Sequence, residues 1–248
     1  MISPDSLPGT PIIDVWVVWL TAPAAVSRAF RSLISSEEAL RADRFAQERL
    51  RVSFEVSHGV LRVLLSQYLK SNPRDLDFEF GQAGKPRLRG GSQLRFNMSH
   101  SGCLAAYAFT SGCEIGIDVE QIRDMPDLEP VAERFFCAGE AAQLLSISGE
   151  RPRQEAFFRC WTRKESYIKA TGDGLSAPLD QFQVTLLPDS PANIVHIGHD
   201  ATAASEWTLQ HLDPAPGYVG ALAHHSGARP ILLHPPCTAQ EILDLPAL

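Results

Sequence analysis

The sequence has no apolar run long enough to cross a membrane and no cysteine pattern that suits a disulfide framework. The apolar run at residues 12–20 contains Asp14 and is too short, because a spanning helix needs about 20 apolar residues. The five cysteines are scattered and form no C-x-x-C pair, which is typical of a reducing compartment. No secretory signal pattern opens the sequence. We therefore expect a cytoplasmic protein that does not contact membranes.

Positive charge is also scarce, since 22 Lys and Arg face 29 Asp and Glu, a net charge of −7. This balance argues against general nucleic-acid binding. It is uneven: the first 100 residues carry 13 basic against 10 acidic side chains, and the remaining 148 carry 9 against 19. An uneven distribution of ordinary surface charges would explain this asymmetry. An acidic region that binds a metal beside a mildly basic region that binds an anion would also explain it. The length allows one large domain or two modest ones.

Local patterns predict an α+β protein with many antiparallel strands. Runs rich in β-branched and aromatic residues predict strands at 12–20, 77–80, 94–98, 104–109, 113–120, 182–186, 193–197, 206–212 and 218–223. Helical periodicity predicts helices at 35–45, 48–69, 131–136, 140–145 and 154–170. Ser35 and Glu38 form a capping box, and Gly172 ends the last of these helices. Ser111-Gly112 predicts a hairpin of 104–109 against 113–120, and residues from 224 on read as a tail.

The predicted strand around Asp118 carries the first candidate site. Its residues alternate, so Asp118 and Glu120 share a face, and Gly116 leaves the backbone beside them open to close approach. Two neighbouring carboxylates repel unless a cation lies between them, and such oxygen pairs suit Mg²⁺. The alternative is a sheet with an ordinary water-facing acidic side.

Two further segments carry charged residues in a suggestive setting. Glu165 and Lys169 lie one helical turn apart, and as an exposed pair they would contribute only about 0.2–0.5 kcal/mol. Phe157 and Trp161 indicate that this helix is covered, and a covered carboxylate needs a partner. Gly84-Lys85-Pro86 has the wrong spacing for a Walker phosphate loop. The basic residues that crowd this segment still suggest an anion site of another kind.

Together these motifs resemble those of the 4′-phosphopantetheinyl transferases. The resemblance rests on Gly116-Ile117-Asp118-Val119-Glu120, on Trp161-x-x-Lys164-Glu165-x-x-x-Lys169, on Gly84-Lys85-Pro86 and on Phe96-Asn97-Met98-Ser99-His100-Ser101. It extends over residues 12–223, and the length and the Gly-Lys-Pro element make the chain similar to the Sfp-type group.

The resemblance implies a fold and an activity. The fold would have two pseudo-symmetric α/β halves with mainly antiparallel sheets, residues 1–112 binding the nucleotide and phosphates of coenzyme A. Residues 113–248 would form the Mg²⁺-binding catalytic half, with a tail from about 224. The enzyme would be a monomer that transfers 4′-phosphopantetheine from coenzyme A to a serine of an acyl or peptidyl carrier protein, releasing adenosine 3′,5′-bisphosphate.

The resemblance also implies residue roles. Asp118, Glu120 and Glu165 would hold Mg²⁺ or Mn²⁺. The catalytic residues would be Asp118, Glu165 as the base and Lys169 at the leaving phosphate. Coenzyme A would be bound by Arg41, Arg44, Lys85, Pro86, Ser99, His100, Asp118, Lys164 and Lys169. Glu38 departs from the family pattern, because a relative can carry lysine there.

Two other functions stay open at this point. A Mg²⁺-dependent pyrophosphatase would use the same carboxylates with water in place of serine, and a coenzyme A-binding protein without catalysis would keep only the fold. For the transferase, residues 123–136, with Arg134, Phe135 and Phe136, are the candidate surface for docking the carrier.

Overall fold

The computed structural model describes residues 12–174, 177–198, 200–225 and 227–246. These residues form eight α-helices and twelve strands, which confirms the predicted α+β class with mainly antiparallel sheets. The helices are α1 (Ala24–Arg31), α2 (Ser36–Ala42), α3 (Glu48–Leu69), α4 (Leu128–Phe135), α5 (Ala138–Leu145), α6 (Glu150–Thr171), α7 (Ala201–Ser205) and α8 (Ala239–Leu243). The strands are β1 (Ile13–Trp19), β2 (Phe78–Phe80), β3 (Pro86–Leu88), β4 (Leu94–Ser101), β5 (Leu104–Ser111), β6 (Ile115–Gln121), β7 (Phe182–Val184), β8 (Ile194–Ile197), β9 (Thr208–Leu212), β10 (Tyr218–His224), β11 (Ile231–Leu233) and β12 (Cys237–Thr238).

The first main sheet has the order β11-β1-β5-β4, with β12 also pairing with β1. Its central strand β5 has no charged residue and is buried on both faces. Ala105, Tyr107 and Phe109 pack with α3 on one side, whereas Leu104 and Ala106 contribute to a core on the other. This division follows from the two-residue period of a strand.

The second main sheet has the antiparallel order β6-β10-β9. Ile115, Ile117 and Val119 of β6 face the first sheet and share a buried cluster with β1 and β5. The opposite face of β6 is covered by α6, so its acidic residue Asp118 is only 4% exposed. The two sheets therefore pack face to face, each with a 22-residue helix on its outer side. The division at residue 112 into two pseudo-symmetric halves stays a prediction.

The predicted hairpin of 104–109 against 113–120 is wrong. β5 pairs with β1 and β4, and β6 pairs with β10 in the other sheet. The tight turn instead joins β4 to β5 at Gly102, whose φ is +56°. Gly112, with a φ of +77°, redirects the chain to the second sheet. Since β5 is buried on both faces and needs hydrogen-bond partners on both edges, β1 takes the edge that the prediction gave to β6.

The helix predictions hold best where the sequence carries end signals. Ser35 and Glu38 form the predicted capping box, and α3 has the predicted bounds. Gly172 ends α6 in the left-handed conformation, although α6 begins at Glu150 rather than at residue 154. The eight-residue helix α1 was not predicted. No helix in the described ranges has the length and apolar character needed to cross a membrane.

The predicted tail contains strands and a helix that belong to the first sheet and its core. Its strands β11 and β12 run parallel to β1, and Ala239 and Ile242 of α8 are buried against α3. His234 contacts the buried carboxylate of Asp14, whose other oxygen accepts a hydrogen bond of 2.6 Å from the hydroxyl of Tyr68. Residues 231–243 thus complete the first sheet and its core.

Candidate active site

Three of the predicted residues come together where β4, β6 and α6 meet. The Ser99 hydroxyl on β4 donates to Oδ1 of Asp118 on β6 at 2.7 Å. The Lys169 ammonium on α6 donates to the same oxygen at 2.6 Å and to the Ser99 hydroxyl at 2.9 Å. A strand of the first sheet, a strand of the second sheet and the helix that covers the second sheet therefore meet in one polar cluster.

Alternate residues of β4 meet β6 in register, although the two strands lie in different sheets. The Asn97 side chain accepts a hydrogen bond of 2.8 Å from the backbone N–H of Ile117, and the Ser101 hydroxyl donates to Glu120 at 2.5 Å. With Ser99 and Asp118 between them, these contacts fix β4 against β6 along three successive same-face positions. The motif at residues 96–101 was predicted to bind through Ser99 and His100, and no role was predicted for Asn97 or Ser101. The signal was the small polar residue at every second position.

Gly116 allows α6 to lie directly on β6. A Cβ atom at Gly116 would lie 2.1 Å from the carbonyl oxygen of Ser166 and 2.3 Å from the backbone nitrogen of Ala170. No side chain fits such a gap, so the predicted close approach at Gly116 is confirmed. This contact carries Glu165 and Lys169 to the face of β6 that bears Asp118.

The carboxylates influence one another. Burial raises the pKa of Asp118, which the Lys169 ammonium partly offsets. Burial also raises the pKa of Glu165, and the negative charges of Asp118 and Glu120 add to this effect. At the exposed mouth of the cluster, partial desolvation and the nearby Lys169 ammonium lower the pKa of His100. The cluster thus holds negative charge that a further cation would stabilise.

The donor set fits a magnesium ion. Oδ2 of Asp118 and Oε1 of Glu165 are buried, and neither has a hydrogen-bond partner in the described structure. Unpaired buried oxygens of this kind are costly and are the ligands that Mg²⁺ takes. Within the described ranges, no three His, Cys, Asp or Glu side chains gather as a ready cage. Mg²⁺ does not require one, because it usually binds one or two carboxylates together with waters and substrate phosphates.

Comparison with known proteins agrees with this geometry. A family model described as the 4′-phosphopantetheinyl transferase superfamily matches residues 114–223. The chain is 37% identical over 214 residues to the 4′-phosphopantetheinyl transferase HetI of Nostoc sp., covering 85% of this chain and 86% of the relative. The chain belongs to the 4′-phosphopantetheinyl transferase superfamily. The resemblance stated from the motifs and the expected enzyme class are thereby confirmed.

Relatives of the Sfp type cover most of this transferase as well. It is 34% identical to the 4′-phosphopantetheinyl transferase Sfp of Bacillus subtilis, over 66% of this chain and 72% of the relative. It is 31% identical to the 4′-phosphopantetheinyl transferase ffp of Bacillus subtilis, over 73% and 80% of the two chains.

Lys164 does not join the cluster of the transferase, so its predicted role as a coenzyme ligand is corrected. Its side chain is fully buried where α6 packs on α5 and β7, and its ammonium lies 2.8 Å from the carboxylate of Glu140, which is also fully buried. The carbonyl oxygens of Leu179 and Phe182 accept its other hydrogen bonds. Glu165, the next residue along the helix, points to the site because neighbouring helical positions face different sides.

The Gly84-Lys85-Pro86 segment approaches the site from the β2–β3 hairpin. Pro86 begins β3, where it pairs with Phe80. The ammonium of Lys85 is occupied by the Glu114 carboxylate and by two backbone carbonyl oxygens, those of Ile115 and Ala170. This geometry does not favour the predicted contact between Lys85 and the coenzyme's pyrophosphate.

Basic and imidazole side chains also gather where α2 packs on α3. Arg41 lies in the last turn of α2 with its guanidinium 5.5 Å from the ring centre of Phe54, and Arg44 is exposed just beyond the helix. Phe54 stacks on His58 at 3.8 Å. Burial lowers the pKa of His58 to about 4, with Arg41 and His100 contributing. No sequence pattern singled out His58, because its surroundings depend on how α2 packs on α3.

A cavity of about 830 Å³ opens beside His100. It runs between the start of α3, the β4–β5 turn and the end of β6, and Leu50, Val52 and Gln121 are among its lining residues. The volume lies within the range of pockets that hold small organic ligands. A cofactor-sized space therefore adjoins the polar cluster of the transferase.

Proposed function

We propose that this enzyme transfers 4′-phosphopantetheine from coenzyme A to a serine hydroxyl of an apo carrier protein, with Mg²⁺ as the metal. The observation that carries the proposal is the buried cluster of Asp118, Ser99 and Lys169, together with the two unpaired carboxylate oxygens of Asp118 and Glu165. The cluster adjoins the large cavity at His100. The names of the relatives support the same reaction.

The metal would be held by Asp118 and Glu165. Glu120 would join them by releasing its ion pair with Arg123, whose Nη1 lies 2.9 Å from Oε2 of Glu120. Bound there, Mg²⁺ supplies the positive charge that offsets the negative charge developing on the leaving phosphate. The ammonium of Lys169, 2.6 Å from Oδ1 of Asp118, would contact an oxygen of that leaving phosphate. Ser99 and His100 would hold phosphate oxygens at the mouth of the site, with Arg41 and Arg44 beyond them.

Glu165 would take the proton from the carrier's serine as its oxygen bonds to the phosphorus of the pantetheine phosphate. The pyrophosphate P–O bond breaks in the same step, and adenosine 3′,5′-bisphosphate leaves with the electron pair. Burial and the neighbouring carboxylates raise the pKa of Glu165, which makes its ionised form a stronger base.

The carrier would dock along residues 123–136. Arg134 is exposed and lies 5.1 Å from the ring centre of Phe135, which is half-buried. Phe136 is only 3% exposed, so its predicted place on the docking surface is corrected to the core. A basic residue on this helix suits a carrier that is acidic around its serine. The enzyme would act as a monomer, which light scattering after size exclusion would test.

The deciding experiment incubates the protein with coenzyme A, Mg²⁺ and a panel of apo carriers, and follows the mass of the intact carrier. We expect a gain of one phosphopantetheine, its loss with EDTA, and a large fall in rate in Glu165→Gln and Asp118→Ala. Glu155→Gln is the matched control, because Glu155 lies on the same helix in a surface pair with Arg151. Coenzyme A consumed equally fast without carrier would support the pyrophosphatase instead. Binding of coenzyme A without turnover would support the non-catalytic protein.

A further inference from the structure

The ammonium of Lys85 lies at the junction of β6 and α6. Its three N–H groups are all used: Nζ lies 3.0 Å from Oε2 of Glu114, 3.0 Å from the carbonyl oxygen of Ile115 and 2.9 Å from that of Ala170. The side chain is only 9% exposed. A lysine ammonium has three donors and no acceptor, so no donor of Lys85 remains for a ligand.

The two carbonyl oxygens belong to the elements that touch at Gly116. Ile115 immediately precedes Gly116 on β6. Ala170 lies in the last turn of α6, where carbonyl oxygens lack helical partners and carry the negative end of the helix dipole. The Lys85 ammonium therefore satisfies one of these oxygens and opposes that dipole. Its stem also packs on the helix end, because a Cβ atom at Gly172 would lie 3.6 Å from Cδ of Lys85.

Lys169 precedes Ala170 and is the helix residue that reaches Asp118. Anything that fixes the carbonyl oxygen of Ala170 relative to Ile115 also fixes the end of α6 relative to β6. We propose that Lys85 is a positioning residue: it links the start of β6 to the end of α6 and thereby holds Lys169 against Asp118. This inference rests on the proposed function, in which Lys169 contacts the leaving phosphate, and it replaces the predicted role of Lys85 as a pyrophosphate ligand.

The surrounding charges agree with this role. Burial lowers the pKa of Lys85, and Glu114 opposes that shift. Glu114 is in turn contacted by Arg87 at 2.9 Å and Arg95 at 3.4 Å. Among the described residues, neither guanidinium makes a hydrogen bond or ion pair with α6. Arg87→Met therefore removes a partner of Glu114 while leaving the link between β6 and α6 in place, which makes it the matched control.

The test compares Lys85→Met with Arg87→Met in the full-length protein. We expect Lys85→Met to lower kcat by about tenfold or more, since a displacement near 1 Å can cost about 100-fold, while KM for coenzyme A stays within about twofold. In the Lys169→Met background the same substitution should cause no further loss, because its effect passes through Lys169. Amide hydrogen exchange of residues 165–172 should be faster in Lys85→Met and unchanged in Arg87→Met.

Three results would overturn the inference. The first is a tenfold rise in KM for coenzyme A with kcat and exchange unchanged, which would make Lys85 a ligand. The second is a full additional loss in the Lys169→Met background. The third is unchanged exchange of residues 165–172. Exchange is measured without substrate, so it decides the link even if the wild-type protein transfers nothing and the proposed function fails. Should Lys85→Met not fold, Lys85→Gln with the same measurements decides.

Discussion

Replacing Gly116 by alanine tests how closely the site depends on the contact between β6 and α6. The added Cβ atom would lie 2.1 Å from the Ser166 carbonyl oxygen, 2.3 Å from the Ala170 nitrogen and 2.9 Å from the Lys169 carbonyl carbon, whereas ordinary contacts begin at 3.4 Å. All three atoms belong to the helix backbone, so no flexible side chain can move aside. The helix must retreat from the strand by about 1 Å.

Two effects follow from that retreat. Overpacking a well-packed core costs about 1–3 kcal/mol of unfolding free energy, and each kcal/mol lowers Tm by about 2–4 °C in a chain of this size. The retreat also moves Glu165 and Lys169 away from Asp118, and a misplacement near 1 Å can cost about 100-fold in rate. We therefore expect Gly116→Ala to lose about 100-fold in kcat while remaining folded at 25 °C.

The assay is carrier mass gain under saturating coenzyme A, with Tm measured on the same preparation. Gly139→Ala is the control, because a Cβ atom there meets nothing closer than 3.5 Å and alanine favours the helix. A Gly116→Ala protein with wild-type kcat would refute the reasoning, since the helix could then move without disturbing the chemistry. A wild-type Tm would show that the contact is looser than the structure has it.

Three other substitutions test features away from the transfer step. Lys164→Met leaves the buried carboxylate of Glu140 without its cation, so we expect a loss of about 3–5 kcal/mol in urea unfolding. Burial lowers the pKa of the His58 imidazole to about 4, below its ordinary 6.5. Between these two pH values the imidazole is therefore protonated in the unfolded chain but not in the folded chain. The free energy of unfolding should fall as the pH is lowered from 7 to 4.5, and His58→Gln should remove up to about 3 kcal/mol of that fall. Tyr68→Phe deprives the buried Asp14 carboxylate of a 2.6 Å hydrogen bond and should cost about 1–3 kcal/mol.

Each of these expectations has an outcome that contradicts it. Arg151→Met, on the exposed start of α6, is the control and should change the free energy of unfolding by less than about 0.5 kcal/mol. If Lys164→Met had an equally small effect, the buried ion pair with Glu140 would not contribute to stability. An identical pH profile in His58→Gln would mean that the imidazole is accessible to protons in the folded state. Unchanged stability in Tyr68→Phe would mean that the Asp14 carboxylate finds another donor.

The sequence predicted most of the polar cluster because its residues obey the periods of their elements. Asp118 and Gly116 fall on one face of a strand by the two-residue period, and Glu165 and Lys169 lie one turn apart on a helix. Neither period says which strand lies opposite. That Ser99 and Ser101 of β4 would meet the acidic residues of β6 depends on how two separate sheets pack, and the predicted hairpin had placed the wrong strand beside β6.

Lys164 and Lys85 show that the surroundings of a motif residue set the direction of its side chain. A motif names the residue type at a position, but the direction of its side chain depends on what surrounds it. Lys164 points between α6 and α5, where it pairs with Glu140. Lys85 points toward the end of α6, where it contacts Glu114 and the carbonyl oxygens of Ile115 and Ala170. All of these partners are distant in sequence from the lysine that they contact, so no local pattern could have indicated them.

The pairing of β11 and β12 with β1 has a consequence for biosynthesis. Ile13 pairs with Ile231 and Trp19 pairs with Thr238, so β1 acquires its outer neighbours only after more than two hundred further residues have been translated. Until then the edge of β1 is open to any other strand, including one from another nascent chain. Contacts this distant along the chain also slow folding. A chaperone that shields β1 during translation would therefore be expected to raise the yield of active enzyme.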